Sequence, residues 1–181
     1  MRVFVTGTGR CGTCTFFQAC QHLTNFTAGH ESEAGRAPSY RFPDQHIEIS
    51  GQLVIAIPRL RSLYPDARFV HLTRERESCV RSIAHQTPDF IEAWSFQWYQ
   101  SRHPFEVSMS AWSYYDRCNE LIAALAPEAM RIDIETAAMQ WPDFCSWIGA
   151  EGDIGASQAE FSRAYNSGAA RGRDEFIEMT K

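Results

Sequence analysis

The chain has 181 residues and a formal net charge of −5, with 44% hydrophobic and 22% charged residues. These values are typical of one globular domain with a hydrophobic core, and they exclude a disordered chain. The acidic balance argues against a nucleic-acid partner, and no apolar run is long enough to span a membrane. Since no signal-peptide pattern precedes the first predicted strand, we expect one cytoplasmic domain over residues 1–181, with a polar, mobile tail from about residue 150.

The first third of the chain predicts a strand, a glycine-rich loop, a helix and a second strand. The β-branched and aromatic run Arg2 to Thr6 is typical of a strand, and apolar residues recur at helical spacing from Thr13. "NFTAGHE" predicts a short strand that ends near Gly29. The segment from Ser32 to Asp44 is rich in glycine, proline and charge, which predicts a loop.

The middle of the chain contains one ambiguous segment and one clear strand. "QLVIAIPRLRSLY" has helical spacing, but Pro58 either breaks that helix or starts a shorter one. "ARFVHLT" predicts a strand, and "ERESCVRSIAH" predicts the helix that follows it.

The last third of the chain predicts two helices around one more strand. We expect a long amphipathic helix from Phe105 to Leu125, a strand in "AMRIDI", and a short helix in "WPDFCSWIG" that ends at Gly149. A last helix is expected near the end of the chain. Strands that alternate with helices predict an α/β fold with three layers, in which helices flank a parallel sheet of four to five strands.

Three signatures overlap in "TGTGRCGTCTFF", from Thr6 to Phe17. The glycines form the G-x-G-x-x-G pattern of dinucleotide-binding proteins, the same stretch resembles a P-loop, and Cys11 and Cys14 form a C-x-x-C pair. A glycine loop between a strand and a helix directs backbone N–H groups at an anion, so it serves both nucleotide interpretations. A Walker P-loop has lysine after its last glycine, and Thr13 stands there, which disfavours an ordinary ATP or GTP kinase.

Two of these signatures remain alternatives. Glu31 lies at about the distance expected of the acid in a Rossmann-type NAD(P)-binding protein, although the chain is short for that fold. Cys11 and Cys14 lie at a helix start, as in thioredoxin-like redox proteins, and their oxidation would close the anion loop. No second C-x-x-C pair or suitably spaced Cys/His pair follows, so we expect no metal. A non-catalytic nucleotide-binding or thiol-redox module is therefore the alternative to an enzyme.

A second cationic loop favours a different nucleotide. In "FVHLTRERESCVRSI", Arg74 ends the strand and Ser82 follows eight residues later in the helix, where a guanidinium and a hydroxyl can hold one phosphate. "GTGRCGTCTF" and "LTRERESCVRSI" together resemble, in the same order, the two nucleotide-binding elements of sulfotransferases that use 3'-phosphoadenosine 5'-phosphosulfate (PAPS). The resemblance spans roughly Arg2 to Gly149 and implies a P-loop-like fold, PAPS as donor and 3',5'-ADP as product.

The resemblance also implies roles for individual residues. Arg10 would contact the bridging oxygen as the S–O bond breaks, while Arg74 and Ser82 would hold the 3'-phosphate. The 5'-phosphate would be held by the loop and the start of the helix, with two C-terminal arginines closing over the donor. The implied donor-binding residues are Gly9, Arg10, Cys11, Gly12, Thr13, Cys14, Thr15, Arg74, Ser82, Arg171 and Arg173.

A general base and an acceptor complete the expectation. His30 and Glu31 follow the second strand and are the candidate bases, with His46 and Glu48 as weaker ones. The aromatic stretch "AWSFQWYQSRHPFEVSMSAWSYY" lines either the core or a pocket for a small-molecule, carbohydrate or lipid acceptor. Because the chain is shorter than most relatives, we expect the lid over the acceptor to be either reduced or supplied by the second subunit of a homodimer.

Overall fold

The architecture is an α/β sandwich, seen in a computed structural model that describes residues 1–32, 40–84, 111–163 and 165. The described residues contain five strands, six α-helices and two short 3-10 helices. The strands are β1 (Arg2–Thr6), β2 (Thr27–His30), β3 (His46–Ile49), β4 (Arg68–Thr73) and β5 (Met130–Asp133). The helices are α1 (Thr13–Cys20), α2 (Ile57–Leu63), α3 (Arg76–Ala84), α4 (Ala111–Leu125), α5 (Ala137–Ile148) and α6 (Ile154–Ala159), with 3-10 turns at Gly51–Ala56 and Glu160–Ser162.

All five described strands are parallel and lie in the order β2-β3-β1-β4-β5. This confirms the predicted α/β fold with a central parallel sheet between helices. The connection that follows β1 leads towards the edge strand β2, and the connection that follows β4 leads towards the opposite edge strand, β5. Ligands of such sheets bind beyond the carboxyl ends of the strands, at the point where the direction reverses, which here lies between β1 and β4.

Side chains that alternate along the strands divide the core into two layers. Val3 and Val5 face a layer in which α1 and α5 pack, with Trp141 fully buried against Phe16 at a ring-centroid distance of 5.3 Å. Phe4 faces the opposite layer, which α2 and α4 complete. Helices on both faces leave the two ends of the sheet as the places where loops are exposed.

Strand β3 was not predicted, because no element was assigned to "HIEI" from the sequence alone. "HIEI" alternates polar and apolar residues, a pattern that predicts a strand with one exposed face, yet all four residues of β3 are buried, including His46 and Glu48. Gly29 on β2 makes room for the Glu48 carboxylate, because a Cβ there would lie 2.4 Å from Glu48 Oε2. The polar side chains are accommodated by a neighbouring strand, which periodicity does not reveal.

The ambiguous segment around Pro58 contains a 3-10 helix followed by an α-helix. Gly51–Ala56 forms the 3-10 helix, and α2 begins at Ile57 with Pro58 in its first turn. Proline is tolerated there because the N–H that it lacks has no partner within the helix. The segment is therefore helical, as its spacing predicts, and Pro58 starts a shorter α-helix, as the second interpretation predicts.

Helix α5 is longer than the sequence predicts, because it continues through Pro142 back to Ala137. Proline in a helix interior leaves the carbonyl four residues earlier without its hydrogen bond. The Gln158 side chain of α6 donates to that carbonyl, Ala138 O, at 2.6 Å. Gly149 ends α5 with a left-handed φ of 69°, as predicted.

Residues 150–162 are folded onto the domain, which differs from the polar tail expected there. Asp153 caps α6, and its carboxylate accepts from Ala156 N at 2.9 Å. Ser157 is fully buried and donates to Ala19 O at 2.5 Å, while Phe161 packs against Trp141. Within the described ranges, no helix combines the length and the apolar character needed to cross a membrane.

Candidate functional site

The candidate site lies where the loops after β1 and β4 meet. β1 and β4 are adjacent and parallel, so the loop Gly7–Gly12 and the segment Arg74–Glu75 leave the same edge of the sheet. Arg74 Nη1 donates to the carbonyl oxygen of Arg10 at 2.9 Å. The two cationic loops therefore lie side by side at the end of the sheet where the sequence predicts a ligand crevice.

The loop after β1 has a backbone that depends on its glycines. Gly9, Arg10 and Gly12 have left-handed φ values of 68°, 54° and 95°. A Cβ at Gly12 would lie 2.4 Å from Ile134 Cγ1, and one at Gly7 would lie 2.4 Å from Leu72 O. The glycines are thus required by the close approach of β4 and of the segment after β5, and Arg10 adopts a conformation that costs a non-glycine residue about 1–2 kcal/mol.

Three successive carbonyl groups of this loop accept hydrogen bonds from side chains. Tyr114 Oη donates to Thr8 O at 2.9 Å, and Thr8 Oγ1 donates to Gly9 O at 2.9 Å. Arg74 Nη1 donates the third hydrogen bond, to the carbonyl oxygen of Arg10. These contacts fix the conformation of the loop before any ligand binds, which lowers the cost of ordering it on binding.

Helix α1 begins directly after the loop, and its first turn is directed at the crevice. Gly12 is its N-cap and supplies no side-chain hydrogen bond to the helix. A helix N-terminus without a capping side chain presents a partial positive charge to anions. Thr13 and Thr15 are both buried in this turn, at 8% exposure, and their roles as 5'-phosphate ligands stay a prediction.

Arg10 and Ser82 contact each other, which refines their predicted roles. Arg10 Nε donates to Ser82 Oγ at 3.1 Å. The resemblance assigns Arg10 to the bridging oxygen and Ser82 to the 3'-phosphate, two separate subsites. In this structure the Arg10 guanidinium lies at Ser82 and Arg74 contacts the Arg10 backbone, so the three residues form one cluster instead of two separate groups.

Arg74 also has an acidic neighbour. Its Nε lies 3.7 Å from Glu135 Oε1, and both side chains are partly exposed. Burial and a hydrogen bond with Asp133 raise the pKa of Glu135 above its ordinary value. The pair is exposed enough for a bound phosphate to compete with Glu135 for the guanidinium.

His30 reaches the first turn of α1 from the end of β2. Its Nε2 lies 3.1 Å from Thr13 Oγ1 and 3.8 Å from Cys14 Sγ. The hydrogen bond with Cys14 is the main cause that raises the pKa of His30, and partial burial opposes it. His30 therefore lies beside the predicted 5'-phosphosulfate position, while Glu31 is exposed in a left-handed turn with φ 53°.

His46 and Glu48 belong to a buried network rather than to the crevice. Glu48 is 1% exposed, and its oxygens accept from Ser32 N at 2.9 Å and from Ser32 Oγ at 2.5 Å. His46 Nε2 lies 3.1 Å from Glu48 Oε2, and its Nδ1 lies 2.8 Å from Thr27 Oγ1. The network holds the turn after β2 that carries Glu31, so both residues act as supports of that turn.

The two cysteines of the C-x-x-C pair have different surroundings. Cys11 is fully buried, and burial raises its pKa to about 12, with the nearby Cys79 acting in the same direction. Contacts of the thiol with the Thr8 side chain and with the backbone of Cys11 and Gly9 oppose this rise in pKa. Cys14 is half-buried beside His30. The Cys11 side chain therefore packs on the core side of the loop and does not line the predicted phosphate position.

The strand order argues against the dinucleotide-binding alternative. In Rossmann folds, β2 lies next to β1, and its acidic residue reaches the ribose there. Here β3 lies between β1 and β2. Glu31 follows β2, two strands from β1, so it does not occupy the position that the ribose-binding acid requires.

Several predicted features lie outside the described residues. These include Arg171 and Arg173, and also the aromatic stretch before Ala111, so their place relative to the crevice stays a prediction. Within the described ranges, no group of three His, Cys, Asp or Glu side chains is arranged to hold a metal ion. Tyr114 and Tyr115, which contact the loops, were not singled out in the sequence, where they read as part of an aromatic helix.

Comparisons with protein families and with curated proteins give no match for this chain: no protein-family profile matches it, and no curated protein is similar enough to count as a match.

Proposed function

We propose that this chain is a PAPS-dependent sulfotransferase, which transfers a sulfuryl group to a hydroxyl or amine of an acceptor by in-line displacement. The observation that supports this most directly is the hydrogen bond between Arg74 Nη1 and Arg10 O, because it brings two cationic loops to one crevice. A donor with a 5'-phosphosulfate and a 3'-phosphate needs cationic groups at both ends. Arg10, Arg74 and the start of α1 are of the right chemical kind for both.

The donor supplies the sulfuryl group: its sulfur forms a bond to the acceptor oxygen while its bond to the 5'-phosphate oxygen breaks, and 3',5'-ADP leaves. The chain provides positioning and charge stabilisation, as in phosphoryl transfer. Arg74 and Ser82 hold the 3'-phosphate. Arg10 stabilises the negative charge on the leaving oxygen, and this role requires its guanidinium to be shared between that oxygen and Ser82.

His30 is the base in this proposal. It accepts the proton of the acceptor hydroxyl at a ring nitrogen, so it must be neutral when the acceptor binds. Its Nε2 lies 3.1 Å from Thr13 Oγ1, and Thr13 belongs to the predicted 5'-phosphate site. The base is therefore close to where sulfur leaves its donor. Glu31, which is exposed, contributes its charge to the surroundings of His30.

Thermal unfolding with different nucleotides tests the donor. We expect 3',5'-ADP to raise the melting temperature more than 5'-ADP, NAD or ATP, since it alone carries a 3'-phosphate for Arg74. A ligand at 100 times its Kd adds about 2.7 kcal/mol to the free energy of unfolding, which is readily measured. A larger shift with NAD or ATP would replace the sulfotransferase proposal with the dinucleotide or kinase alternative.

A further inference from the structure

Two adjacent tyrosines of α4 each contact one of the two cationic loops. Tyr114 Oη donates to Thr8 O at 2.9 Å in the loop after β1. Tyr115 Oη donates to Arg74 O at 2.7 Å in the loop after β4. The rings of both tyrosines pack on the core layer below the crevice. One helix thus connects the backbones of both predicted phosphate subsites.

Helix α4 is held firmly enough to serve as a reference for both loops. Cys118 and Ile122 are fully buried in the core layer formed with α2. Asn119 bridges the helix to β4, because its Oδ1 lies 2.7 Å from His71 Nε2 and its Nδ2 donates to Tyr115 O at 2.8 Å. Arg76 of α3 adds two hydrogen bonds to Asp116, at 2.8 and 2.5 Å. The helix cannot shift without loosening these contacts.

We propose that Tyr114 and Tyr115 are positioning residues, each of which sets how tightly the protein binds one end of the donor. Tyr114 acts through the loop after β1, and Tyr115 acts through Arg74. The assignment of the ends rests on the proposed function. The positioning itself follows from the contacts and needs no particular nucleotide.

The geometry of the peptide group explains how a hydroxyl acts on the opposite side of a loop. The C=O and N–H of a trans peptide point in opposite directions, so a bond to the carbonyl also orients the next N–H. At Arg74 the next N–H, that of Glu75, donates to Glu135 Oε2 at 3.2 Å. Tyr115 and Glu135 hold this peptide from its two sides, which fixes the direction in which the Arg74 side chain leaves the strand.

Burial keeps the Tyr115 hydroxyl in the form that donates. Desolvation raises the pKa of Tyr115 above its ordinary value, so its proton is retained across the neutral range. A phenylalanine at the same place keeps the packed ring and removes only the donor. Phenylalanine variants therefore test the hydrogen bond without leaving a cavity.

The test compares Tyr114→Phe and Tyr115→Phe by nucleotide binding, with 3',5'-ADP and 5'-AMP as probes. We expect Tyr115→Phe to weaken 3',5'-ADP about two- to tenfold and 5'-AMP much less, because only the first uses Arg74. We expect Tyr114→Phe to weaken both by a similar factor. Tyr64→Phe is the matched control, since Tyr64 Oη also donates to a backbone carbonyl, Tyr40 O at 2.7 Å, in the segment that leads to the amino end of β3. It should leave both affinities unchanged.

Amide hydrogen exchange separates this inference from the proposed function. We expect about two- to tenfold faster exchange in a peptide that spans the loop after β1 in Tyr114→Phe, and in a peptide that spans Arg74 and Glu75 in Tyr115→Phe. This result would support the positioning roles of the two tyrosines even if wild-type protein did not prefer 3',5'-ADP. The lack of that preference would contradict only the sulfotransferase proposal. Wild-type exchange in both variants would overturn the positioning roles, and equal losses for both nucleotides in Tyr115→Phe would overturn the separate assignment of the two ends.

Discussion

Arg74 and Arg10 are 64 positions apart in the sequence, and the guanidinium of the first donates to the backbone carbonyl of the second at 2.9 Å. The contact joins the ends of β1 and β4 at the point where the sheet connections reverse direction. It also leaves the Arg10 side chain directed at Ser82. Each loop by itself is a sequence motif that many proteins could contain, and the contact between the two loops makes them one cationic site.

Replacing Arg74 tests the 3'-phosphate subsite. We expect Arg74→Ala to weaken 3',5'-ADP about 10- to 100-fold, because charge-assisted hydrogen bonds to the phosphate are lost, and to affect 5'-AMP much less. Isothermal titration measures both affinities. Arg117→Ala is the control, since Arg117 is an exposed arginine that pairs with Glu120 on α4. Equal losses for both nucleotides would place the 3'-phosphate elsewhere.

Replacing Arg10 tests its catalytic role. If Arg10 stabilises the leaving oxygen, Arg10→Ala lowers kcat about 100- to 1000-fold while 3',5'-ADP still binds. Release of 3',5'-ADP from PAPS measures the rate once an acceptor is supplied. Ser82→Ala keeps the guanidinium and should weaken donor binding with little change in kcat. A loss of 3',5'-ADP affinity in Arg10→Ala with an unchanged kcat would make Arg10 a 3'-phosphate ligand only.

The pH dependence of the reaction tests His30 as base. A raised pKa keeps imidazole protonated to higher pH, so the acid limb of the pH–rate profile should lie above 6.5, the ordinary value for histidine. Cys14→Ala removes the hydrogen bond that is the largest cause of the shift and should move this limb to lower pH. Glu31 and Glu48 also raise the pKa of His30, so part of the shift should remain. Normal activity in both His30→Ala and Glu31→Ala would exclude this pair.

Thiol labelling tests the separation of the two loop cysteines. All six cysteines lie within the described residues, and all except Cys14 are buried. We therefore expect iodoacetamide to modify Cys14 first in the folded protein, as detected by mass spectrometry, and Cys14→Ser to lose that early adduct. Labelling of Cys11 at the rate of Cys14, or a disulfide between them in the oxidised protein, would contradict the surroundings described here.

The glycine requirement of the loop is testable by stability. Gly12→Ala combines a left-handed backbone cost of about 1–2 kcal/mol with an overlap against Ile134 worth about 1–3 kcal/mol more. Gly149 has φ 69° and no neighbour within 4 Å of an added Cβ, so Gly149→Ala should show the backbone cost alone. Urea unfolding measures both. Equal losses in the two variants would mean that Ile134 moves aside.

The sequence by itself determined the local elements and which residues end them. The β-branched run before the glycines predicts β1 at its observed bounds, Arg2–Thr6, and the run before Arg74 predicts β4. Glycine also marks the end of α5 at Gly149. These features follow from local sterics and periodicity, which each short segment carries within itself.

Only the tertiary structure decided the rest, because it depends on partners distant in the sequence. Gly29 on β2 leaves space for the buried carboxylate of Glu48 on β3, and Gln158 donates to the carbonyl that Pro142 leaves free in α5. The C-x-x-C spacing predicts one pair, yet packing buries Cys11 and places Cys14 beside His30. Strand order, thiol surroundings and the contacts of Tyr114 and Tyr115 are pairings in space, and no periodicity along the chain encodes them.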